Sequence, residues 1–300
     1  MATATDRRSV LTGLGALGVA GCGQSPASAI AVTVFDLDLD LRALEARHGG
    51  RLGLCAYGPK GRVKWRADER FVYCSTFKMY LAAATLLRAQ AGDERLDRTV
   101  PVTRADMVSH APVTEPAIGG SLTIEQLMKG TVEVSDNPAA NILIRELGGL
   151  DALTAFYRGL GDQSTRVDRL EPEMNRLDGD KDTTTPVQSV SNISRLLVSP
   201  DTPLSPDSKT LLLRWMVDTP TGMSRIKAGV PAGWRVAHKT GTGGYGPTND
   251  IGVLYPPTGE PVVIAVYLHA TRASTEAQND AVIADATRMA LAAFGHGAAA

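Results

Sequence analysis

The sequence is poor in the residues that usually bind metal ions. It contains three cysteines and five histidines among 300 residues, and none of them has the close pairing typical of a zinc site. Lys and Arg form no basic stripe, and the formal net charge is −1. Proteins that bind nucleic acid usually carry such a stripe. We therefore expect no metal ion, no other cofactor and no nucleic-acid partner.

An apolar segment long enough to span a membrane is also missing near the N-terminus. A bilayer needs about 20 apolar residues, whereas the run from Val10 to Ala20 is shorter. It follows Arg7-Arg8 and ends in small residues, as secretory signals do, and the paired arginines are similar to a twin-arginine export signal. We expect residues 1–22 to direct export out of the cytoplasm and residues 23–34 to form a tether.

The cysteines fall into two groups. Cys22 closes the segment Val19-Ala20-Gly21-Cys22, which resembles a bacterial lipobox and would make Cys22 a site of lipidation and the only membrane anchor. Signal-peptidase cleavage nearby, with loss of Cys22, is the alternative. Cys55 and Cys74 remain, and in an oxidising compartment they could pair. The sequence leaves open whether they form a disulfide or stay as two buried thiols.

The order of the predicted elements indicates an α+β fold. Strand-like segments occur at both ends of the chain and helical periodicity fills the middle. We predict one antiparallel five-stranded sheet flanked by the terminal helices, with an all-helical lobe inserted, in a three-layer α/β/α arrangement plus the helical lobe. Residues 35–70 and 216–296 would form the α/β lobe and residues 71–215 the helical lobe, with the active site between them. The predicted strands are Arg51–Tyr57, Val63–Ala67, Arg235–Thr242, Asp250–Tyr255 and Val262–Leu268, and the predicted helices include Ser75–Ala89, Asn137–Glu146, Pro186–Val198 and Thr275–Ala293.

Ser75 and Lys78 are candidate catalytic residues. They lie three apart at the start of a predicted buried helix, so their side chains share one face. A Lys amine in an apolar setting has a lowered pKa and can take the proton of a nearby hydroxyl. A helix that begins at a Ser, with an ordinary Lys one turn later, explains the same four residues, and this simpler explanation is favoured for the motif alone.

Three further motifs follow along the chain. Ser135-Asp136-Asn137 could relay a proton and hold a substrate amide, although Ser, Asp and Asn are also preferred helix caps. Glu171 and Asn175 lie in a polar loop and could jointly hold a water, or simply be solvated. Arg169 and Asp182 bracket that loop and could pair to close it. Lys239-Thr240-Gly241-Thr242 on a strand offers an anion a charge, hydroxyls and a close backbone approach.

The joint occurrence of these motifs is far more specific than any one of them. S-x-x-K, S-D-N and K-T-G in this order are the signature of class A β-lactamases and penicillin-binding proteins. From about residue 37 to 295 the chain resembles a class A serine β-lactamase, and Glu171 with Asn175 separates that class from its slowly deacylating relatives. The matching segments are Tyr73–Lys78, Pro112–Glu115, Ser135–Asn137, Glu171–Asn175, Asp182–Pro186 and Lys239–Gly243.

The resemblance implies a role for each matching residue. Ser75 would attack the β-lactam carbonyl, with an oxyanion hole from the backbone N–H groups of Ser75 and Thr242. Either Lys78 or Glu171 would be the base for acylation, and Ser135 would pass a proton to the lactam nitrogen. The remaining matches would position water or substrate: Glu171 with Asn175 the hydrolytic water, Asn137 the side-chain amide, and Lys239, Thr240, Gly241 and Thr242 the substrate carboxylate.

The chain departs from the family pattern at four places. Many members bind the carboxylate with an Arg on the strand after K-T-G. The matching residue here is Thr248, and we assign that role to Arg225 instead. Some serine carbapenemases join the Cys before the nucleophile to one after K-T-G; Gly243 stands there, so this disulfide is not expected. His110 replaces an aromatic wall residue. The loop from Glu171 to Asp182 is about two residues shorter than expected.

Together these features predict an exported, monomeric enzyme that hydrolyses the β-lactam amide bond of penicillins and cephalosporins and confers resistance to them. The alternative is a penicillin-binding DD-peptidase-like or sensor protein that is acylated but deacylates slowly, which the short loop would favour.

Overall fold

The computed structural model describes residues 35–244, 246–271 and 273–296. The predicted export signal, the tether and Cys22 lie outside these residues. No helix within the described ranges combines the length and the apolar character that a membrane crossing requires.

Ten strands and nine α-helices make up the described part of the chain. The strands are β1 (Phe35–Asp38), β2 (Arg51–Gly58), β3 (Gly61–Trp65), β4 (Phe71–Val72), β5 (Thr99–Pro101), β6 (Ser121–Thr123), β7 (Thr183–Thr184), β8 (Arg235–Thr242), β9 (Pro247–Tyr255) and β10 (Val262–His269). The helices are α1 (Arg42–His48), α2 (Phe77–Ala91), α3 (Ile124–Glu133), α4 (Asn137–Leu147), α5 (Leu150–Gly159), α6 (Pro186–Ile193), α7 (Pro206–Asp218), α8 (Ile226–Gly229) and α9 (Glu276–Ala293).

The main sheet confirms the predicted α+β class but has six strands in place of five. Its order is β1-β3-β2-β10-β9-β8, and the five strands from β3 to β8 are antiparallel neighbours, as predicted. The additional strand β1 pairs with β3 in parallel, with Phe35 opposite Gly61. Its alternation of acidic and apolar residues leaves Asp36 beside Arg62 at 2.6 Å on an exposed edge. Charged side chains are typical of protected edge strands.

The two faces of the sheet bury two separate apolar clusters. Successive side chains of a strand point to opposite faces, and β10 shows this alternation directly. One cluster lies under α1 and α9, and the other extends into α2, α6 and the helices of the middle of the chain. On β10, Val262, Ile264, Val266 and Leu268 belong to the first cluster, and Val263, Ala265 and Tyr267 to the second.

The segment that carries Ser75 is a short 3₁₀ turn, Cys74–Thr76, and α2 begins only at Phe77. The helix predicted from Ser75 therefore starts two residues later. The turn opens with Cys74 at φ +48°, a left-handed conformation that few non-glycine residues adopt. All residues of α2 from Phe77 to Leu86 are buried. Ser75 is thus held at the buried end of the central helix.

The structure changes the end of one predicted helix and confirms the start of another. The helix predicted over Pro186–Val198 is α-helical to Ile193 and continues as a π-helical segment, Ser194–Val198. Asp136 is the N-cap of α4 and accepts a hydrogen bond from the N–H of Ala139 at 2.8 Å. The capping explanation of the S-D-N motif is therefore correct for its Asp, and it leaves Ser135 and Asn137 on either side for other contacts.

Candidate active site

Ser75, Lys78 and Glu171 meet at one carboxylate oxygen. The Ser75 hydroxyl donates to Glu171 Oε1 at 3.3 Å, and Lys78 Nζ lies 3.0 Å from the same oxygen. The side chains of Lys78 and Glu171 are completely buried, and Ser75 is only 8% exposed. The candidate nucleophile therefore has the Glu171 carboxylate within hydrogen-bond distance, as general-base catalysis requires, and the second candidate base, Lys78, contacts the same carboxylate oxygen.

Lys78 has more hydrogen-bond acceptors than protons to give. Besides Glu171, its Nζ lies 2.8 Å from the Ser135 carbonyl, 3.3 Å from Ser135 Oγ and 2.5 Å from Asn137 Oδ1. Burial lowers the pKa of this amine, although the Glu171 carboxylate opposes the shift. A lowered pKa increases the share of neutral amine, the form that can accept a proton.

Ser135 connects two buried lysines. Its Oγ accepts hydrogen bonds from Lys78 Nζ at 3.3 Å and from Lys239 Nζ at 3.2 Å. Burial, followed by repulsion from Lys78, holds the pKa of Lys239 well below its usual range. Ser135 itself has φ +60°, an unusual conformation that turns the loop between α3 and α4 toward β8. A hydroxyl between two amines is suited to passing a proton.

The loop that carries Glu171 is held by buried polar contacts. Glu171 Oε2 accepts a hydrogen bond from Asn175 Nδ2, and the Glu171 backbone exchanges two hydrogen bonds with the Asn141 amide, at 2.9 and 3.0 Å. The predicted pair of Arg169 and Asp182 forms, with Nε 2.5 Å from Oδ2, and Asp182 is fully buried. The peptide bond between Glu171 and Pro172 is cis. The loop between Glu171 and Asp182, which we expected to be short, brings the Glu171 carboxylate to Ser75.

Arg225 lies against the end of β8. Its Nη2 donates to Thr242 Oγ1 at 2.8 Å, and its Nη1 donates to the backbone carbonyls of Gly241 and Asn249. Its Nε donates to the Asp280 carboxylate at 2.7 Å. The residue is only 3% exposed. This hydrogen-bond network fixes the position of the Arg225 guanidinium, which places a positive charge beside the hydroxyl of Thr242.

A cavity of about 390 Å³ opens in front of these residues. His110 borders it at φ +63°, with Nε2 2.8 Å from the Val134 carbonyl, and Asn137 is anchored by donation to the Ser109 carbonyl at 2.8 Å. Four residues of the predicted site do not line the cavity but lie behind its lining residues: Lys78, Glu171, Lys239 and Gly241. The lining residues are Ser75, His110, Ser135, Asn137, Asn175, Thr221, Gly222, Arg225, Thr240, Thr242 and Glu276.

Comparisons with known proteins show which family the chain belongs to. The sequence model of the "Beta-lactamase enzyme family" matches residues 36–294. The chain is 41% identical to Beta-lactamase FAR-1 of Nocardia farcinica over 259 residues, 85% of this chain and 82% of that protein. It is also 41% identical to the β-lactamase of Mycobacterium tuberculosis over 274 residues, 87% of this chain and 88% of that one.

Solved structures agree as well. The class A β-lactamase of the last common ancestor of Gram-negative bacteria has a TM-score of 0.80 and 46% identity, covering 85% of this chain and 97% of that one. A β-lactamase from Xanthomonas campestris has a TM-score of 0.79 and 40% identity, covering 83% and 93%. The chain belongs to the class A β-lactamase family.

In this class A β-lactamase chain Cys74, which precedes the candidate nucleophile Ser75, is a free thiol, and so is Cys55. The question left open by the sequence is therefore answered in favour of two buried thiols. Burial raises the pKa of the Cys55 thiol to about 12, and that of the Cys74 thiol further still. Gly243 fits closely here, since a Cβ on it would lie 3.1 Å from Cys74 Sγ and 2.3 Å from the Asn175 carbonyl.

Sequence reasoning missed three residues of this site. Asn141 holds the backbone of Glu171, Asn249 donates to the segment before Ser75, and Glu276 lines the cavity beside Arg225. All three lie outside the matched motifs, and their neighbours in sequence give no chemical signal. Within the described ranges, no cluster of three or more His, Cys, Asp and Glu side chains has a metal-binding arrangement.

Proposed function

We propose that this protein hydrolyses the amide bond of β-lactam antibiotics through an acyl-enzyme on Ser75, and so confers resistance to them. The observation that carries the proposal is the shared oxygen of Glu171, which lies within hydrogen-bond distance of both the Ser75 hydroxyl and the Lys78 amine. Family membership supports the same chemistry. The reaction then divides into an acylation and a deacylation.

In acylation, Ser75 Oγ attacks the lactam carbonyl and loses its proton to Lys78 or to Glu171. Glu171 contacts the hydroxyl directly, and Lys78 contacts the Glu171 oxygen that accepts from this hydroxyl, so both residues are kept as candidate bases. The backbone N–H groups of Ser75 and Thr242 would stabilise the oxyanion, where loss of one donor costs about 10²–10³ in rate. The lactam nitrogen would receive its proton from Ser135, which Lys78 and Lys239 contact from two sides.

In deacylation, Glu171 would take a proton from a water that attacks the ester. Asn175 donates to one Glu171 oxygen, while its own Oδ1 is buried and has no hydrogen-bond partner among the described residues. A buried acceptor of this kind is costly unless something donates to it. We assign Asn175 Oδ1 to the hydrolytic water. This pair of residues is what favours full turnover over a stalled acyl-enzyme.

The substrate carboxylate would lie at the Arg225 end of the cavity. Thr240 and Thr242 supply hydroxyls on β8, and Lys239 and Arg225 supply positive charge beside them. Gly241 allows this strand to approach the nucleophile closely. Asn137 would receive the side-chain amide of the substrate, and His110 would stack against that side chain at the cavity rim.

We further propose that the protein acts outside the cytoplasm, in the periplasm or at the cell surface, as a monomer. The arginine pair and the short apolar run of residues 1–22 support export, and the segment ending at Cys22 supports a lipid anchor. Radiolabelled palmitate incorporation into the wild type but not into Cys22→Ala is the expected result for the anchor.

The first experiment is steady-state hydrolysis of a chromogenic cephalosporin, with the intact mass measured on the same sample. Rapid multiple turnover is the expected result. A single burst with a lasting adduct on Ser75 would assign the protein to the slowly deacylating, DD-peptidase-like or sensor class instead. Neither turnover nor adduct would contradict both assignments, and Ser75→Ala is the inactive control.

A further inference from the structure

Two adjacent side chains of β9 serve opposite faces of the sheet. Asn249 stands opposite Gly241 of β8, and Asp250 stands opposite Thr240. Because neighbouring residues of a strand point to opposite faces, Asn249 faces the segment that leads to Ser75. Asp250 faces the loop that carries Arg225. Both residues are completely buried, and neither contacts the cavity.

Asn249 holds the backbone just before the nucleophile. Its Nδ2 group donates to the carbonyls of Val72 at 2.9 Å and Tyr73 at 3.1 Å. The Tyr73 carbonyl also accepts from the N–H and the hydroxyl of Thr76. The Asn249 side-chain amide therefore holds the carbonyls of two consecutive peptide units, on either side of Tyr73, just before the turn that carries Ser75.

Asp250 holds the backbone just after Arg225. Its Oδ2 accepts from the N–H of Ile226 at 3.1 Å, and both of its oxygens lie 3.0 Å from Nδ1 of His238. His238 is also fully buried and comes from β8. Gly222 at the other end of the loop packs close by, since a Cβ on it would meet His238 and Asp250. The carboxylate thus ties the Arg225 loop to two strands.

We infer that Asn249 and Asp250 are positioning residues with separate tasks: Asn249 aligns the nucleophile, and Asp250 aligns the Arg225 site that selects carboxylate-bearing substrates. The inference rests on the proposed function. Their opposite directions from one strand make the two tasks separable, because neither side chain contacts the group that the other one positions.

The test of Asp250 compares a penicillin with its carboxylate methyl ester. In Asp250→Ala we expect the ratio of kcat/KM for the acid to that for the ester to fall about tenfold, mainly through KM, because the Arg225 loop loses its hydrogen bond from Ile226 to the carboxylate. Asp250→Asn keeps an acceptor for Ile226 and should restore the ratio to within about threefold. If the alanine variant does not fold, Asp250→Thr replaces it, since Thr fits a strand and is too short to reach Ile226.

The test of Asn249 uses the same two substrates. Asn249→Ala should slow formation of the Ser75 adduct about tenfold for acid and ester alike, with the ratio unchanged. If the alanine variant does not fold, Asn249→Ser is used in its place. Because Ser retains one hydrogen-bond donor, we expect a smaller decrease in the rate of adduct formation. Rates are measured by quenched-flow mass spectrometry, and circular dichroism checks the fold of each variant.

Two results would overturn the inference. An Asp250 variant in which kcat/KM falls equally for acid and ester would show that Asp250 supports the fold as a whole rather than the Arg225 site. An Asn249 variant that changes the acid-to-ester ratio, or leaves adduct formation at the wild-type rate, would remove the proposed division. Wild-type turnover tests the proposed function separately; without turnover, the same variants are compared by adduct formation alone.

Discussion

Glu171 is the residue whose replacement separates the two chemical steps most clearly. It is the carboxylate within reach of Ser75, and its second oxygen is held by Asn175. Glu171→Ala should lower the rate of deacylation by about 10²–10⁴, the usual scale for a general base. We expect a stable penicilloyl adduct on Ser75 in the intact mass. The exposed neighbour Glu173 provides the control, since Glu173→Gln should turn over like the wild type; full turnover by Glu171→Ala would remove Glu171 from the mechanism.

Glu276 should weaken the attraction of Arg225 for anions. Its carboxylate lies 3.7 Å from the guanidinium, lines the cavity and is 77% exposed. Such exposed pairs contribute little energy and are screened by salt. Glu276→Gln should therefore lower KM for carboxylate-bearing substrates by only about two- to fivefold at low salt, and the gain should shrink at 0.5 M salt. Glu260→Gln, in the turn between β9 and β10, is the matched control, and an equal gain there would contradict the prediction.

For individual residues, the sequence was sufficient to predict those candidate site residues that lie within short motifs. Ser75 and Lys78 are three residues apart, and Glu171 and Asn175 are four apart, so local spacing alone brings each pair together. Asn249 differs, because it donates to a carbonyl 177 positions away. Only the pairing of strands creates that contact, and no local pattern records it.

Among the elements, strand β8 needs a glycine at position 241, where it packs against the turn that carries Ser75. A Cβ on Gly241 would lie 2.7 Å from the Tyr73 carbonyl and 3.1 Å from Cys74 Cβ. Gly241→Ala should push the strand away from the 3₁₀ turn and lower kcat/KM by more than about tenfold. Gly244→Ala is the control, since nothing lies within 4 Å of a Cβ there. Equal activities of the two variants would show that the strand and the turn can separate without loss.

The elements also show why boundaries were harder to predict than identities. The apolar periodicity of residues 75–89 correctly indicated a buried helix, but a 3₁₀ turn at its start satisfies nearly the same pattern. Strand β1 has only four described residues and pairs in parallel at an edge. Its formation depends on β3 as a partner, so the segment alone gave too weak a signal, and the sheet was predicted with five strands.

For the whole molecule, His269 should make stability depend on pH in the acidic range. Both ring nitrogens face donors, Val72 N–H and the Arg51 guanidinium, and burial followed by the charge of Arg51 lowers the pKa of His269 to about 4. The unfolded chain, with a His pKa near 6.5, binds the proton first. The contribution of neutral His269 to the free energy of unfolding is therefore fully present above pH ~6.5. It decreases as the pH falls toward ~4, by at most about 3 kcal/mol.

Urea unfolding at pH 7 and pH 4.5 measures this effect. The wild type should lose more stability between the two values than His269→Gln, which cannot be protonated. His110→Gln, at the exposed cavity rim, should behave like the wild type. An equal loss in the wild type and in His269→Gln would assign the acid sensitivity to other groups.

The two free thiols have a consequence for where the fold can form. Cys55 and Cys74 are buried, and their raised pKa values keep both sulfurs protonated and unreactive at neutral pH. The described fold therefore needs no oxidant and no disulfide isomerase to reach its native state. The melting temperature of residues 35–296 should therefore be the same with and without dithiothreitol, so this part of the chain can fold under reducing as well as oxidising conditions.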